Sequence, residues 1–107
     1  MSRFDADVVI VGAGAAGLSL AARLSGGRHR VVVVDRREGF GHDRTFSGFR
    51  VRAHPFEGAI DRTYRYVAVH DEGRSVVRST GAHPYVTIPG DLFYELALRM
   101  IGRSSNV

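Results

Sequence analysis

Val8-Val9-Ile10-Val11-Gly12-Ala13-Gly14-Ala15-Ala16-Gly17 decides the fold, because a short apolar run feeds straight into Gly-x-Gly-x-x-Gly. The chain holds 13 glycines, so the spacing alone says little and its surroundings carry the argument. Val8 to Val11 has the β-branched composition of a buried parallel strand. After Gly17, residues Leu18, Leu20, Ala21 and Leu24 supply the apolar side of a helix that Gly26-Gly27 ends. A second run, Val31-Val32-Val33-Val34, closes on Asp35, 18 residues past the last motif glycine. Strand, glycine turn, helix, strand and terminal acid together form the context that a dinucleotide fingerprint requires.

Each position has a chemical reason. Gly12 allows the tight turn out of the strand, Gly14 lets a pyrophosphate approach the backbone, and Gly17 lets the helix pack closely on the sheet. Backbone N–H groups at the helix start, with the positive end of its dipole, face the phosphates. Asp35 accepts from the hydroxyls of the adenosine ribose and disfavours a 2′-phosphate, an exclusion that Arg36 and Arg37 weaken slightly. The expected cofactor-binding set is therefore Gly12, Ala13, Gly14, Ala15, Ala16, Gly17, Asp35 and Arg36. The bland alternative is a glycine-rich turn that binds nothing.

At 107 residues the chain has the length of one small domain, yet two parallel strands are fewer than a complete dinucleotide fold uses. Arg103-Ser104-Ser105-Asn106-Val107 follows a helix without a closing strand. The expectation is an N-terminal part of a larger protein spanning 1–107, with the substrate domain outside it. Net charge is +4, all of it between Arg28 and Arg65, where nine arginines face five acids. That basic stretch suits phosphates or an anionic membrane surface. Its arginines are scattered rather than blocked, which favours a solvated loop face. No aromatic-plus-basic ladder supports a nucleic-acid partner.

The absence of cysteine excludes disulfides and cysteine-ligated metal, which fits a reducing cytoplasm. The first strand begins too early to leave room for a signal peptide, and no apolar run approaches the roughly 20 residues of a membrane span. Peripheral membrane contact stays open, and the oligomeric state is not readable.

Residues 36–63 read as loop, interrupted by Gly39, Gly41, Gly48, Pro55 and Gly58. Tyr64 to His70, the turn Asp71-Glu72-Gly73-Arg74 and Ser75 to Arg78 predict a hairpin. Tyr85 to Ile88 is a further strand, broken by Pro89-Gly90. Asp91 then looks like the N-cap of a helix whose core stripe is Leu92, Phe93, Leu96, Ala97 and Met100. The fold class is α/β: a Rossmann-like βαβ unit with an inserted β-hairpin, incomplete as a domain. A simple nicotinamide-binding domain brings its third parallel strand soon after the second. A long insertion is instead the habit of FAD-binding domains of the glutathione-reductase type, which favours FAD over NAD.

Asp7 to Leu24 with Val31 to Asp35, including the small Ala21 four places after Gly17, resembles the FAD-binding N-terminus of that flavoprotein class. Gly41-His42-Asp43-Arg44-Thr45-Phe46-Ser47-Gly48-Phe49 is similar to the Thr-Trp segment after the second strand in flavin-dependent lycopene β-cyclases. The aromatic strand from Tyr64, and Tyr85 to Ile88 ahead of Asp91 to Leu96, also resemble that family's layout. Phe46 stands where the family has tryptophan. Pro89-Gly90-Asp91 stands where many relatives carry an arginine.

The resemblance implies FAD that must be reduced by NAD(P)H although the net reaction moves no electrons. A proton adds to a terminal C=C of a carotenoid, the carbocation closes a ring, and a proton leaves. The family's acidic catalytic motif lies beyond position 107, so no catalytic residue is named. The rival readings are a flavin monooxygenase, a prenyl reductase, or a non-catalytic remnant of a dinucleotide-binding domain. The chain taken alone is expected to be inactive.

Other chemistries find little support. His29, His42, His54, His70 and His83 are too widely spaced for a metal site to be expected. Ser19 misses the nucleophile elbow, and a P-loop would need lysine. Asp43, Arg44 and Thr45 could reach a cofactor or substrate from the long loop, or form a polar surface turn.

Overall fold

A computed structural model describes residues 3–107 as a mixed α/β fold with three small sheets. Strand β1 (Val8–Val11), helix α1 (Ala15–Leu24) and strand β2 (Val31–Val34) follow one another. The two strands pair in parallel, from Val8 opposite Val31 to Val11 opposite Val34. A parallel pair needs a long crossover, and α1 is that crossover. The helix buries Leu18, Ala21 and Ala22, one apolar row at helical spacing. Leu20, expected on that side, lies two positions off the row and is exposed.

The β1–β2 sheet is covered on one face only. Ile10 and Val31 are buried with Ala21, whereas Val9, Val11, Val32 and Val34 on the opposite face are exposed. The expected buried strand is thus half-buried. An unbroken β-branched run signals two covered faces, and among the described residues nothing covers the second.

Residues 36–63 depart furthest from the loop expectation. They contain strand β3 (Thr45–Phe49), a 3₁₀ turn at Glu57–Ala59, and strand β4 (Arg62–Tyr64). Both strands pair antiparallel with strand β7 (Tyr85–Pro89), giving the sheet order β3-β7-β4. Their partner lies far along the chain, which is why local periodicity interrupted by glycine and proline hides them.

The hairpin forms as strands β5 (Tyr66–Asp71) and β6 (Arg74–Ser79), turning at Glu72-Gly73, both with positive φ. The expected strand from Tyr64 is divided, because Tyr64 belongs to β4. Thr80 Oγ1 donates to the Arg65 carbonyl at 3.0 Å beside the break. The ribbon is almost wholly exposed and lies in a molecule 64 Å long and 20 Å across its narrowest axis.

Helix α2 (Gly90–Gly102) begins directly after Pro89. Asp91 is therefore not the N-cap. It lies in the first turn, where its carboxylate still suits the helix dipole and stands 3.1 Å from His42 Nδ1. The helix start is set by Gly90, whose N–H donates to the Arg44 carbonyl at 2.8 Å. A Cβ at Gly90 would collide with that carbonyl. Phe93 and Ala97 are buried as expected, Leu96 and Met100 are partly covered, and Leu92 is exposed. Tyr94, absent from the expected stripe, is the most deeply buried aromatic, at 1% exposure.

Two apolar clusters hold the elements together. Ala13, Leu18, Ala22, Phe56, Phe93, Tyr94 and Ala97 join α1, α2 and the 3₁₀ turn. Ile10, Ala21 and Val31 join α1 to the parallel sheet. After α2 the chain returns to β2, and the Val31 N–H donates to the Asn106 carbonyl at 2.7 Å. The Asn106 amide donates to the carbonyls of Leu24 and His29 and accepts from the Gly26 N–H. The segment after α2 is thus tied to the α1–β2 turn and caps the open end of α1.

Candidate functional site

The glycine loop leaves β1 through Gly12, whose φ of +105° is open to glycine at little cost. The Gly12 N–H donates to the Val34 carbonyl at 2.7 Å, so the loop starts tied to the end of β2. Gly17 faces the same loop from the first turn of α1. A Cβ there would overlap the Gly12 carbonyl and stand 3.2 Å from Ile10 Cγ2. Close packing of helix on sheet is thus what Gly17 permits, as its spacing predicts. Gly14 is different: a Cβ on it would meet only Arg37 Nη2, 4.0 Å away. The space above Gly14 is open.

Gly14 is also the N-cap of α1 and brings no side-chain cap. The first intrahelical bond is Leu18 N–H to the Gly14 carbonyl at 2.9 Å. The N–H groups at the start of α1, including those of Ala15, Ala16 and Gly17, therefore have no acceptor within the helix. Ala13 behaves otherwise, since its N–H donates to Asp35 Oδ2 at 2.8 Å. Of the glycine-loop residues, Gly12 and Ala13 thus have N–H donors already engaged inside the protein.

Asp35 ends β2 beside this loop. Its Oδ2 takes the Ala13 N–H, and its Oδ1 takes the Arg37 N–H at 2.7 Å. Those backbone donors, Ala13 first and Arg37 second, outweigh partial burial and hold the carboxyl below the usual aspartate range. The group is ionised near neutral pH. Its side chain keeps 17% exposure, so part of the carboxylate can still accept from outside.

Arg37, read from sequence only as a neighbour of Asp35, is built into the site. Its guanidinium donates to the Tyr94 hydroxyl at 3.0 Å, to Asp43 Oδ2 at 3.3 Å and to the Ala13 carbonyl at 3.4 Å. It lies 5.3 Å from the Phe40 ring centroid and 5.4 Å from that of Tyr94. Tyr94 in turn donates to Asp43 Oδ1 at 3.0 Å. Burial pushes Asp43 up, but the Tyr94 hydroxyl and the charges of Arg44 and Arg37 outweigh it and leave it below its ordinary value. Tyr94 was missed because it lies outside the apolar stripe read along its helix. The signal was its hydroxyl, which a buried tyrosine must satisfy.

A cleft of about 620 Å³ opens at the C-terminal ends of β1 and β2. It is lined by Val11, Gly12, Val34, Asp35, Arg36, Arg37, Asp43 and Arg44. A ligand of an open α/β sheet binds in a crevice outside the carboxyl ends of its strands. Arg36 and Arg44 therefore bring positive charge to that crevice, and Arg44 is exposed beside Asp43. Thr45, grouped with them from sequence, is instead the first residue of β3. A second hollow of about 440 Å³ runs along β2 and is lined mainly by Val31, Val32, Val33, Leu98, Ile101 and Val107. Its lining is mostly apolar, and it reaches the glycine-loop site only at one end, through Ala13, Asp35 and Arg37. Among the described residues, no helix is long and apolar enough to cross a membrane.

Neither a curated protein nor a solved structure matches the chain significantly. A family profile described as "Lycopene cyclase protein" matches residues 7–105, which include the glycine loop, Asp35, the inserted strands and α2. The chain belongs to the lycopene cyclase family.

Proposed function

We propose that this chain is the FAD-binding part of a carotenoid end-group cyclase, a flavoprotein whose net reaction is an isomerisation. The observation that carries the reading is the open cradle above Gly14, flanked by uncapped helix N–H groups and an ionised Asp35. A Cβ would fill that cradle, and a dinucleotide pyrophosphate needs it. The residues present fit FAD. The N–H groups of Gly14, Ala15, Ala16 and Gly17 would hold the pyrophosphate. Asp35 would take the ribose hydroxyls, and Arg36 and Arg44 would add positive charge at the rim. Ala13 would act indirectly, by holding Asp35.

When bound and reduced by NAD(P)H, the flavin would supply negative charge that stabilises cationic character in a carotenoid end group. The chain's own part is to bind and orient. Family membership supports the cyclase over a monooxygenase or a prenyl reductase, which share only the opening motif. A peripheral membrane contact would suit a carotenoid substrate.

The test expresses the intact gene in lycopene-accumulating bacteria and identifies the pigment by chromatography. A ringed carotenoid is the expected product. Unchanged lycopene in the presence of soluble, flavin-loaded protein would defeat the cyclase reading and leave the generic flavoenzyme reading standing.

A further inference from the structure

Asp35 and the glycine loop do not hold their places unaided. The Ala13 N–H is bound to Asp35 Oδ2, and Asp35 Oδ1 is bound to the Arg37 N–H. The Arg37 side chain then returns to the Ala13 carbonyl. Both polar groups of Ala13 are thus tied to residues 35–37 in a closed ring of contacts. The remaining arm of the guanidinium reaches Tyr94 and Asp43, which are bonded to each other. Tyr94 comes from α2, 57 residues along the chain from Arg37, and is fully enclosed.

We infer that Arg37, gripped by Tyr94 and Asp43, is a positioning residue that sets where Asp35 and the glycine loop stand. Helix α2 thereby governs the affinity of the dinucleotide cleft without touching the ligand. The alternative is that Arg37 makes a set of surface ion pairs with little consequence. Three features weigh against that. The guanidinium is enclosed by two aromatic rings and is 29% exposed, so water competes less for it. Its planar fork meets acceptors from three separate segments, a geometry that lysine's point charge does not reproduce. And the Tyr94 hydroxyl, on a buried side chain, accepts from Arg37 and donates to Asp43, so one group grips both.

The consequence for affinity rests on the FAD reading above, so two measurements separate the claims. The first needs no ligand: hydrogen exchange of the Ala13 amide in wild type, Arg37→Met, Arg37→Lys and Tyr94→Phe. The Met and Phe variants should exchange at Ala13 roughly ten-fold faster. The Lys variant should lie between them and wild type, while the α1 core amide of Ala21 is unchanged in all. A merely structural role would move Ala13 and Ala21 together.

The second is FAD affinity by flavin fluorescence on the intact protein. Tyr94→Phe should weaken it several-fold in wild type and add nothing in an Asp35→Ala background. Unchanged exchange at Ala13 overturns the inference. So does altered exchange with unaltered affinity, or a Tyr94→Phe effect that persists in the Asp35→Ala background. If wild type binds no FAD, the functional reading falls, and exchange at Ala13 alone decides whether Arg37 positions the loop.

Discussion

Two glycines of the same motif should fail in opposite ways when each gains one methyl group. At Gly17 an added Cβ would stand 3.0 Å from the Gly12 carbonyl carbon, 3.2 Å from Ile10 Cγ2, and in steric overlap with the carbonyl oxygen. Carbon atoms sit comfortably at about 3.5–4.0 Å, so α1 must retreat by roughly 1 Å. That retreat opens the interface where Ala21 meets Ile10 and Val31. A gap of about 1 Å forfeits up to half of each dispersion contact it crosses. Overpacking of this kind costs about 1–3 kcal/mol, and backbone in the path puts Gly17→Ala at the upper end.

For a chain of this length, about 3 kcal/mol corresponds to a fall in Tm of roughly 10–20 °C. Gly14→Ala meets open space and, with both proteins stripped of flavin, should melt within about 2 °C of wild type, yet fail to take flavin up again. Thermal melts followed by circular dichroism, with flavin uptake assayed on the same samples, read both arms. A Gly17→Ala protein that melts with wild type would refute the packing argument. A Gly14→Ala protein that unfolds would refute the assignment of its open face to a ligand.

The remaining predictions concern the rest of the site and the tail. Asp35→Ala should weaken FAD binding by roughly ten-fold or more, since charge-assisted bonds to the ribose are lost, and equilibrium titration checks it. Asn106→Ala removes three side-chain hydrogen bonds at the α1–β2 turn and should lower stability by about 1–3 kcal/mol in urea unfolding. An unchanged midpoint would mean the tail bears no load. Asp7 is held low mainly by the Arg30 N–H and Asp35 mainly by the Ala13 N–H, so both favour the fold when ionised. Their contribution is complete above the ordinary aspartate value of about 4 and disappears as pH falls through the lower folded values. Stability should therefore drop below about pH 4, less steeply in Asp35→Asn, as followed by denaturant midpoints across pH.

What was legible in the sequence was local. The run from Val8 to Gly17 and the acid after Val34 announce themselves within 30 residues, and the two valine-rich runs pair in parallel as expected. The hairpin was legible for the same reason, its turn being encoded by adjacent residues. What stayed hidden depends on partners far along the chain. Strand β3 has a weak pattern and becomes a strand by pairing with β7, some forty residues later. Asp91 reads as a cap until Gly90 is seen drawn onto Arg44. Arg37 reads as a charge beside Asp35 and Tyr94 falls outside the core stripe, and only tertiary contact turns them into one bonded group. Asn106, in a polar tail without period, gives no local hint that it caps a helix 80 residues earlier.

The central claim is that the loop from Gly12 to Gly17, with Asp35, holds a flavin dinucleotide. Its most direct test is the flavin content of the purified intact protein, wild type beside Gly14→Val. The account predicts a yellow wild type that releases FAD on denaturation, and a folded Gly14→Val protein that has lost it. A colourless wild type that binds NADH tightly, or a Gly14→Val protein with undiminished flavin, would contradict it.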